Sequence, residues 1–183
     1  NPKGALGTHR NLLTNILSSA YAAARAVLRK GEALPAPQRK TLLTVIPLFH
    51  ATACSATLMG VLFAGHRIIL MHKWDVVKAM QLIERDKVTC ILGEISSASC
   101  LTIAQVAQRT KTLFVNTGGN SDALRGDNCN KYMFHVESQN SMYVKTCGRA
   151  LMAQGLVKGK KWFFLTADYA FGHDLLKVAK RFM

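Results

Sequence analysis

An α/β fold of alternating strand and helix units, with a mostly parallel sheet covered by helices on both faces, follows from three features of these 183 residues. Short apolar runs of strand length alternate with segments whose apolar residues recur at helical spacing. The alternation passes through the chain with no break in composition, and this order of elements builds parallel sheets. Hydrophobic residues make up 49% at a mean hydropathy of +0.11, enough to bury a sizeable core and too much for a disordered chain.

Taken in order, Leu12, Leu13, Ile16, Leu17, Ala20, Ala24, Val27 and Leu28 share one helical face, and Gly31 supplies a stop. The run from Glu32 to Lys40 holds two prolines and reads as an exposed connection. Thr41 to Ile46 is strand-like and ends at Pro47, because proline cannot donate to a ladder. A helix is expected from Thr52 to Ala64, then a strand from Arg67 to Met71. Asp75 is placed to cap a helix running to Arg85 with Val76, Val77, Met80, Leu82 and Ile83 on its apolar face. Val88 to Leu92 is the next strand. Ser99 opens a helix through Ile103, Val106 and Ala107, and Thr112 to Asn116 is a strand. A loop rich in Gly, Asn and Asp runs from Thr117 to Asn130. Ser141 to Leu156 reads as helix, Trp162 to Thr166 as strand and Gly172 to Met183 as helix. Ligands on such sheets sit beyond the carboxyl ends of the strands, so the loops after Ile46, Leu92, Asn116 and Thr166 are where a site is expected.

Charge narrows the function classes. Lys and Arg number 24 against 10 Asp and Glu, a net charge of +14. It is evenly spread: residues 1 to 91 carry 12 basic against 4 acidic residues, and residues 92 to 183 carry 12 against 6. The densest cluster is Lys158, Lys160 and Lys161, with no aromatic-studded basic motif, so no specific nucleic-acid binding is expected. No apolar window is long enough for a membrane span; the closest, Ala51 to Met71, is broken by Gly60, Gly65, His66 and Arg67. No secretory signal is visible, and the opening Asn1-Pro2-Lys3-Gly4 reads as the middle of a loop in a truncated chain. Cys54, Cys90, Cys100, Cys129 and Cys147 form no CxxC pair and no metal-type spacing with the six histidines. They are expected to be reduced thiols, most of them buried as small apolar groups.

Two sets of motifs carry chemistry. Asn1-Pro2-Lys3-Gly4-Ala5-Leu6-Gly7-Thr8-His9-Arg10-Asn11, then Pro47-Leu48-Phe49-His50 and His72-Lys73-Trp74-Asp75, resemble the acyl-CoA synthetase, acyl-adenylate-forming (AMP-binding) superfamily over residues 1 to 89. That resemblance implies ATP-driven adenylation of a carboxylate in the cytoplasm. Lys3 and Gly4 would belong to the tail of its phosphate loop, and His50 would lie near its acyl pocket. The alternatives on the residues themselves are a solvated terminal lysine and a strand-end histidine. The Ser/Thr/Gly run, the adenine- and magnesium-holding motif, the ribose-binding acid and the C-terminal catalytic lysine of that family have no counterpart here. No cofactor is therefore expected, ATP and Mg entering only if the ligase reading holds.

From Cys90 the resemblance changes. Ile91-Leu92-Gly93-Glu94-Ile95-Ser96-Ser97-Ala98-Ser99, Phe114-Val115-Asn116-Thr117-Gly118-Gly119-Asn120 and Asp168-Tyr169-Ala170-Phe171-Gly172-His173-Asp174 resemble the type I periplasmic substrate-binding proteins of branched-chain amino acid and amide ABC transporters. The resemblance implies a lobe in which Ser97, Gly118 and Asn120 hold the carboxylate and amino group of a small amino acid or amide, and Phe171 covers it. It also implies a periplasmic setting and a transporter permease as partner. A serine-rich turn at a helix N-terminus suits a carboxylate, although Ser96, Ser97 and Ser99 serve equally as helix caps and Phe171 as core. Phe171 stands where tyrosine is commoner, and Asn120 replaces a hydroxyl residue. The expectation is a composite or truncated chain: a partial adenylate-forming segment over 1–89 and a partial binding-protein lobe over 90–183, able to pack as one α/β unit. It lacks complete catalytic machinery, so its remaining role is small-molecule binding, with a ligase fragment as the alternative.

Overall fold

A computed structural model describes residues 7–182. Five strands, β1 (Thr41–Thr44), β2 (Arg67–Leu70), β3 (Cys90–Leu92), β4 (Leu113–Asn116) and β5 (Met133–His135), form one sheet in the order β2-β1-β3-β4-β5. Every pair is parallel. The six α-helices are α1 (His9–Leu28), α2 (Met59–Phe63), α3 (Val76–Asp86), α4 (Ser97–Thr110), α5 (Asn140–Ala153) and α6 (Ala170–Phe182). The expected α/β class, parallel sheet and two-sided cover are what the fold displays.

Register explains the core. Leu43, Ile91, Phe114 and Met133 are aligned across four strands, and all four side chains are buried. Ala79, Leu82 and Ile83 of α3 and Ile103, Ala104, Val106 and Ala107 of α4 complete a single apolar cluster with them. Residues of the opposite parity, Leu42 and Leu92, face α2 and the turn before it, where Thr57, Gly60, Val61 and Ala64 line a shallow groove. Helix α1 packs on α2 but buries only Ile16, leaving Leu13, Leu17 and Tyr21 exposed. No helix among the described residues is long and apolar enough to cross a membrane.

Local signals act as expected at several ends. The Asp75 carboxylate accepts from the Lys78 N–H at 2.7 Å and starts α3; Lys87, at φ 53°, ends it in the left-handed region. Thr8 and Asn11 close a reciprocal capping box on α1. Ser96, three residues before the expected Ser99, caps α4 by accepting from the Ser99 N–H at 3.4 Å.

Other expectations are corrected. Thr52–Leu58 winds as a π-helix before α2, so the expected single helix is two pieces. β5 is a strand of three residues, too short to stand out by alternation. Trp162 to Thr166 forms no strand: the sheet ends at β5, and this segment rests on α5 and α6, where no ladder is on offer. The thiols are also less buried than composition suggests. Only Cys100 is buried, Cys90 is half-buried, and Cys54, Cys129 and Cys147 are exposed, all five being free. Burial pushes the Cys100 thiol up to about 12 and the Cys90 thiol up to about 11.

Replacing Phe114, fully buried at the centre of the aligned row, by alanine is expected to cost about 3–5 kcal/mol in urea unfolding, whereas Val76→Ala at an exposed position stays within about 0.5 kcal/mol. A loss at Phe114 no larger than at Val76 would refute the core assignment. In native protein at mildly alkaline pH, Cys54, Cys129 and Cys147 are expected to titrate rapidly with a chromogenic disulfide, and Cys90 and Cys100 only after unfolding, since the thiolate is the reactive form.

Candidate functional site

The order β2-β1-β3-β4-β5 reverses direction between β1 and β3, and the crevice above that reversal is where open parallel sheets take ligands. Two loops meet there. The Val45 N–H donates to the Leu92 carbonyl at 3.1 Å, carrying the β1–β3 ladder past the strand end. Gly93 follows at φ 144°, and a Cβ on it would lie 2.5 Å from Val45 Cγ2, so only glycine allows the close approach. Beyond it the Glu94 carboxylate accepts from the Ile95 N–H at 3.1 Å and the Ser96 N–H at 3.3 Å through one oxygen. A carboxylate of the chain itself therefore stands before the N-terminus of α4, where the helix dipole favours negative charge.

The loop after β4 is organised by Asn116. Its buried side-chain oxygen accepts from the Gly119 N–H at 2.8 Å, the Gly118 N–H at 3.2 Å and Cys100 Sγ at 3.3 Å, while its amide donates to the Gly119 carbonyl at 2.9 Å. Ser97, fully buried in the first turn of α4, accepts from the Asn120 and Ser121 N–H groups, each at 3.2 Å. Gly118 sits against Glu94 and Ile95, where a Cβ would be 3.0 Å from the Glu94 carbonyl oxygen. The Asn120 amide donates to the Ser138 carbonyl at 2.8 Å and reaches Tyr143 Oη at 3.4 Å. Ser138 Oγ in turn bonds Tyr143 Oη and donates to Glu137. Both Ser138 donors hold the Glu137 carboxyl below its usual range.

Phe171 joins this network through its backbone. The Asn140 N–H donates to the Asn120 carbonyl at 2.9 Å, and its side-chain amide donates to the Phe171 carbonyl at 3.0 Å and to Asp174 at 2.8 Å. Asp174 also accepts from the Asp122 N–H at 2.8 Å, and Asp122 accepts from the Ser141 N–H at 3.1 Å. The Phe171 ring is half-buried with its centroid 6.0 Å from that of Tyr169. Asp168 is elsewhere, in an exposed 2.8 Å pair with His173. Nearby, burial and then Arg125 hold His135 below its ordinary pKa.

Ser97, Gly118, Asn120 and Phe171, picked out by motif, are thus brought to one connected patch. Asn116 and Asn140, which organise it, were not picked out. Asparagine at a strand end before two glycines is a turn signal that applies to Asn116; Asn140 acts on α6 over more than 30 residues, and no local pattern announces that. His50 lies apart, half-buried, its N–H donating to the Pro47 carbonyl at 2.9 Å. The loop it ends borders an apolar cavity of about 440 Å³ at the carboxyl ends of β1 and β2, lined by Thr44, Ile46, Pro47, Leu48, Phe49, Leu70, Met71 and His72. The Thr44 hydroxyl, 1% exposed, has no partner there among the described residues. Lys3 and Gly4 lie outside the described residues.

Two family models match. One for periplasmic binding proteins covers residues 75–183, and one for AMP-binding enzymes covers residues 1–110. Among curated proteins, 4-coumarate-CoA ligase 1 of Narcissus pseudonarcissus is 35% identical over 88 residues, 48% of this chain and 15% of the ligase. The 4-coumarate-CoA ligase 2 of Nicotiana tabacum is 34% identical over the same shares. The chain thus spans about 15% of the length of these curated relatives. Among solved structures, a periplasmic binding protein of Burkholderia mallei is similar with a TM-score of 0.66 at 26% identity, covering 79% of this chain and 43% of that one. The leucine-, isoleucine-, valine-, threonine- and alanine-binding protein of Brucella ovis, in a closed conformation, shares the fold with a TM-score of 0.61 at 16% identity, over 79% of this chain and 43% of that one. Residues 75–183 alone cannot supply 79% of the chain, so part of the AMP-binding-like segment occupies binding-protein positions.

Gly119→Ala is expected to cost about 1–3 kcal/mol, because its Cβ would fall 2.5 Å from the buried Cys100 Sγ and overpack the loop. Its amide and that of Gly118 should then exchange faster with solvent while α3 keeps its protection. Gly126→Ala, meeting nothing nearer than 3.7 Å, serves as the neutral comparison.

Proposed function

Since the chain belongs to the periplasmic binding protein family over residues 75–183 and to the AMP-binding enzyme family over residues 1–110, we propose that it is a small-molecule-binding lobe of composite ancestry, without catalytic machinery of its own. Its ligand on this reading is a branched-chain amino acid or a related amide, received at the β1–β3 crevice beside Ser97, Gly118, Asn120 and Phe171. A transporter permease is the partner such a lobe would serve.

One observation carries the reading: the Ser97 hydroxyl gathers the Asn120 and Ser121 N–H groups, so the start of α4 and the loop after β4 form a single polar rim at the topological switch point. The buried Ser97 orders this rim, and direct contact falls to the half-buried Asn120 and to Glu94. One oxygen of the Glu94 carboxylate is spent on the backbone; the other makes no hydrogen bond among the described residues and would accept the ammonium of an amino acid. Closure on a ligand in two-lobed proteins comes from a second lobe, so a lobe alone binds weakly.

A second reading has its own observation. The 440 Å³ apolar cavity beside Pro47, Leu48 and Phe49, with the unpartnered Thr44 hydroxyl, is large enough for an aromatic or short acyl group and favours an acyl-binding remnant. The segment matched by the AMP-binding enzyme model, residues 1–110, includes this loop.

Calorimetry separates the two. Leucine-like ligands and short amides are expected to give heat, and Glu94→Gln to weaken leucine about tenfold, the worth of one charge-assisted hydrogen bond, while sparing uncharged amides. Heat only from 4-coumarate with Mg-ATP would replace the first reading by the second, and heat from neither set would remove both.

A further inference from the structure

Trp162-Phe163-Phe164-Leu165-Thr166 has the composition of a central strand but takes no regular secondary structure, and no backbone N–H or carbonyl from 161 to 167 makes a hydrogen bond among the described residues. Side chains alternate as in a strand. Phe164 and Thr166 are half-buried against α5 and α6, where Tyr143, Val144, Leu175 and Leu176 help line an apolar groove; Leu165 borders the same groove yet is 91% exposed, and Phe163 is 88% exposed. One face is thus already anchored, and a row of unmade backbone bonds stands beside two exposed apolar side chains. An unpaired apolar segment of this kind templates pairing with another strand.

We propose that this segment pairs antiparallel with the same segment of a second copy of the chain, about a two-fold axis at Phe164. Charge selects the occupant and the direction. In that register Phe163 faces Leu165 of the other copy, Trp162 faces Thr166, and Lys160 faces Asp168, with Lys161 next to it. Each chain therefore sets its basic end against the other's acid, twice over, and a two-fold contact needs no more than this self-complementarity. Parallel pairing would instead place Lys160 and Lys161 against their own copies. Asp168 is free to take part: its side chain is fully exposed, and only one of its carboxylate oxygens is spent, on His173 at 2.8 Å. A pair of five-residue strands, ~17 Å long, lies at the low end of stable interfaces, so the dimer is reversible and concentration-dependent.

Sedimentation equilibrium of the full chain over a wide range of concentration tests this. The mass is expected to rise from 20.1 kDa to twice that value. Phe163→Pro, at an exposed site where proline removes a ladder donor, and Asp168→Lys, which sets like charges opposite each other, are each expected to leave only the monomer. Adding Lys160→Asp and Lys161→Asp to Asp168→Lys is expected to restore the dimer. Unchanged thermal midpoints of the monomers by circular dichroism show that the substitutions leave the fold intact. A wild-type chain that stays monomeric, a dimer that survives either single substitution, a triple variant that fails to re-form it, or masses climbing beyond two copies would each overturn the proposal.

Discussion

Everything in this molecule leans on the pairing of β1 with β3. Leu42, Leu43 and Thr44 align with Cys90, Ile91 and Leu92, and the Val45 to Leu92 hydrogen bond extends the ladder to the lip of the crevice. Remove that ladder and β1 and β2 are left as an isolated pair of strands, and the row from Leu43 to Met133 loses its first member. Strand pairing of parallel type survives only when both faces are covered, and the cover is uneven here. The α3–α4 face is closed; on the other, Leu70, Leu113 and Phe134 remain exposed.

This pairing is also where two ancestries meet. The matches to AMP-binding enzymes and to periplasmic binding proteins overlap over residues 75–110, the stretch that contains α3, β3 and α4. That stretch is a helix-strand-helix unit, and a sheet position is indifferent to the origin of the strand that fills it. Contacts confirm one core: Trp74 Nε1 donates to Thr102 Oγ1 at 2.8 Å, and Val45 closes on Gly93. The junction is thus packed as tightly as the rest, which a flexible linker between two independent pieces would not be.

At the crevice, polar groups are first of all employed in holding the loops. Asn116 and Ser97 spend their hydrogen-bonding capacity chiefly on backbone, and the Asn140 amide ties the Phe171 carbonyl to Asp174, which stiffens the rim and leaves Glu94 and Asn120 as the groups facing outward. Such buried side chains give a site its shape, and half-exposed ones give it chemistry. The apolar cavity at β1 and β2 follows different physics, with little besides the Thr44 hydroxyl to orient a guest.

Periodicity and end signals in the sequence determined the α/β class, four of the five strands and the cap at Asp75, because each depends on neighbours a few residues away. Strand order, and with it the crevice, was a matter for the tertiary structure. So were the short β5, the sheetless state of Trp162 to Thr166 and the exposure of three of the five cysteines. A strand exists only when another supplies its hydrogen bonds, and a side chain is buried only when something distant covers it. Asn140 holds Phe171 and Asp174 across more than 30 residues of chain for the same reason: local sequence sets what an element can be, and packing sets what it meets.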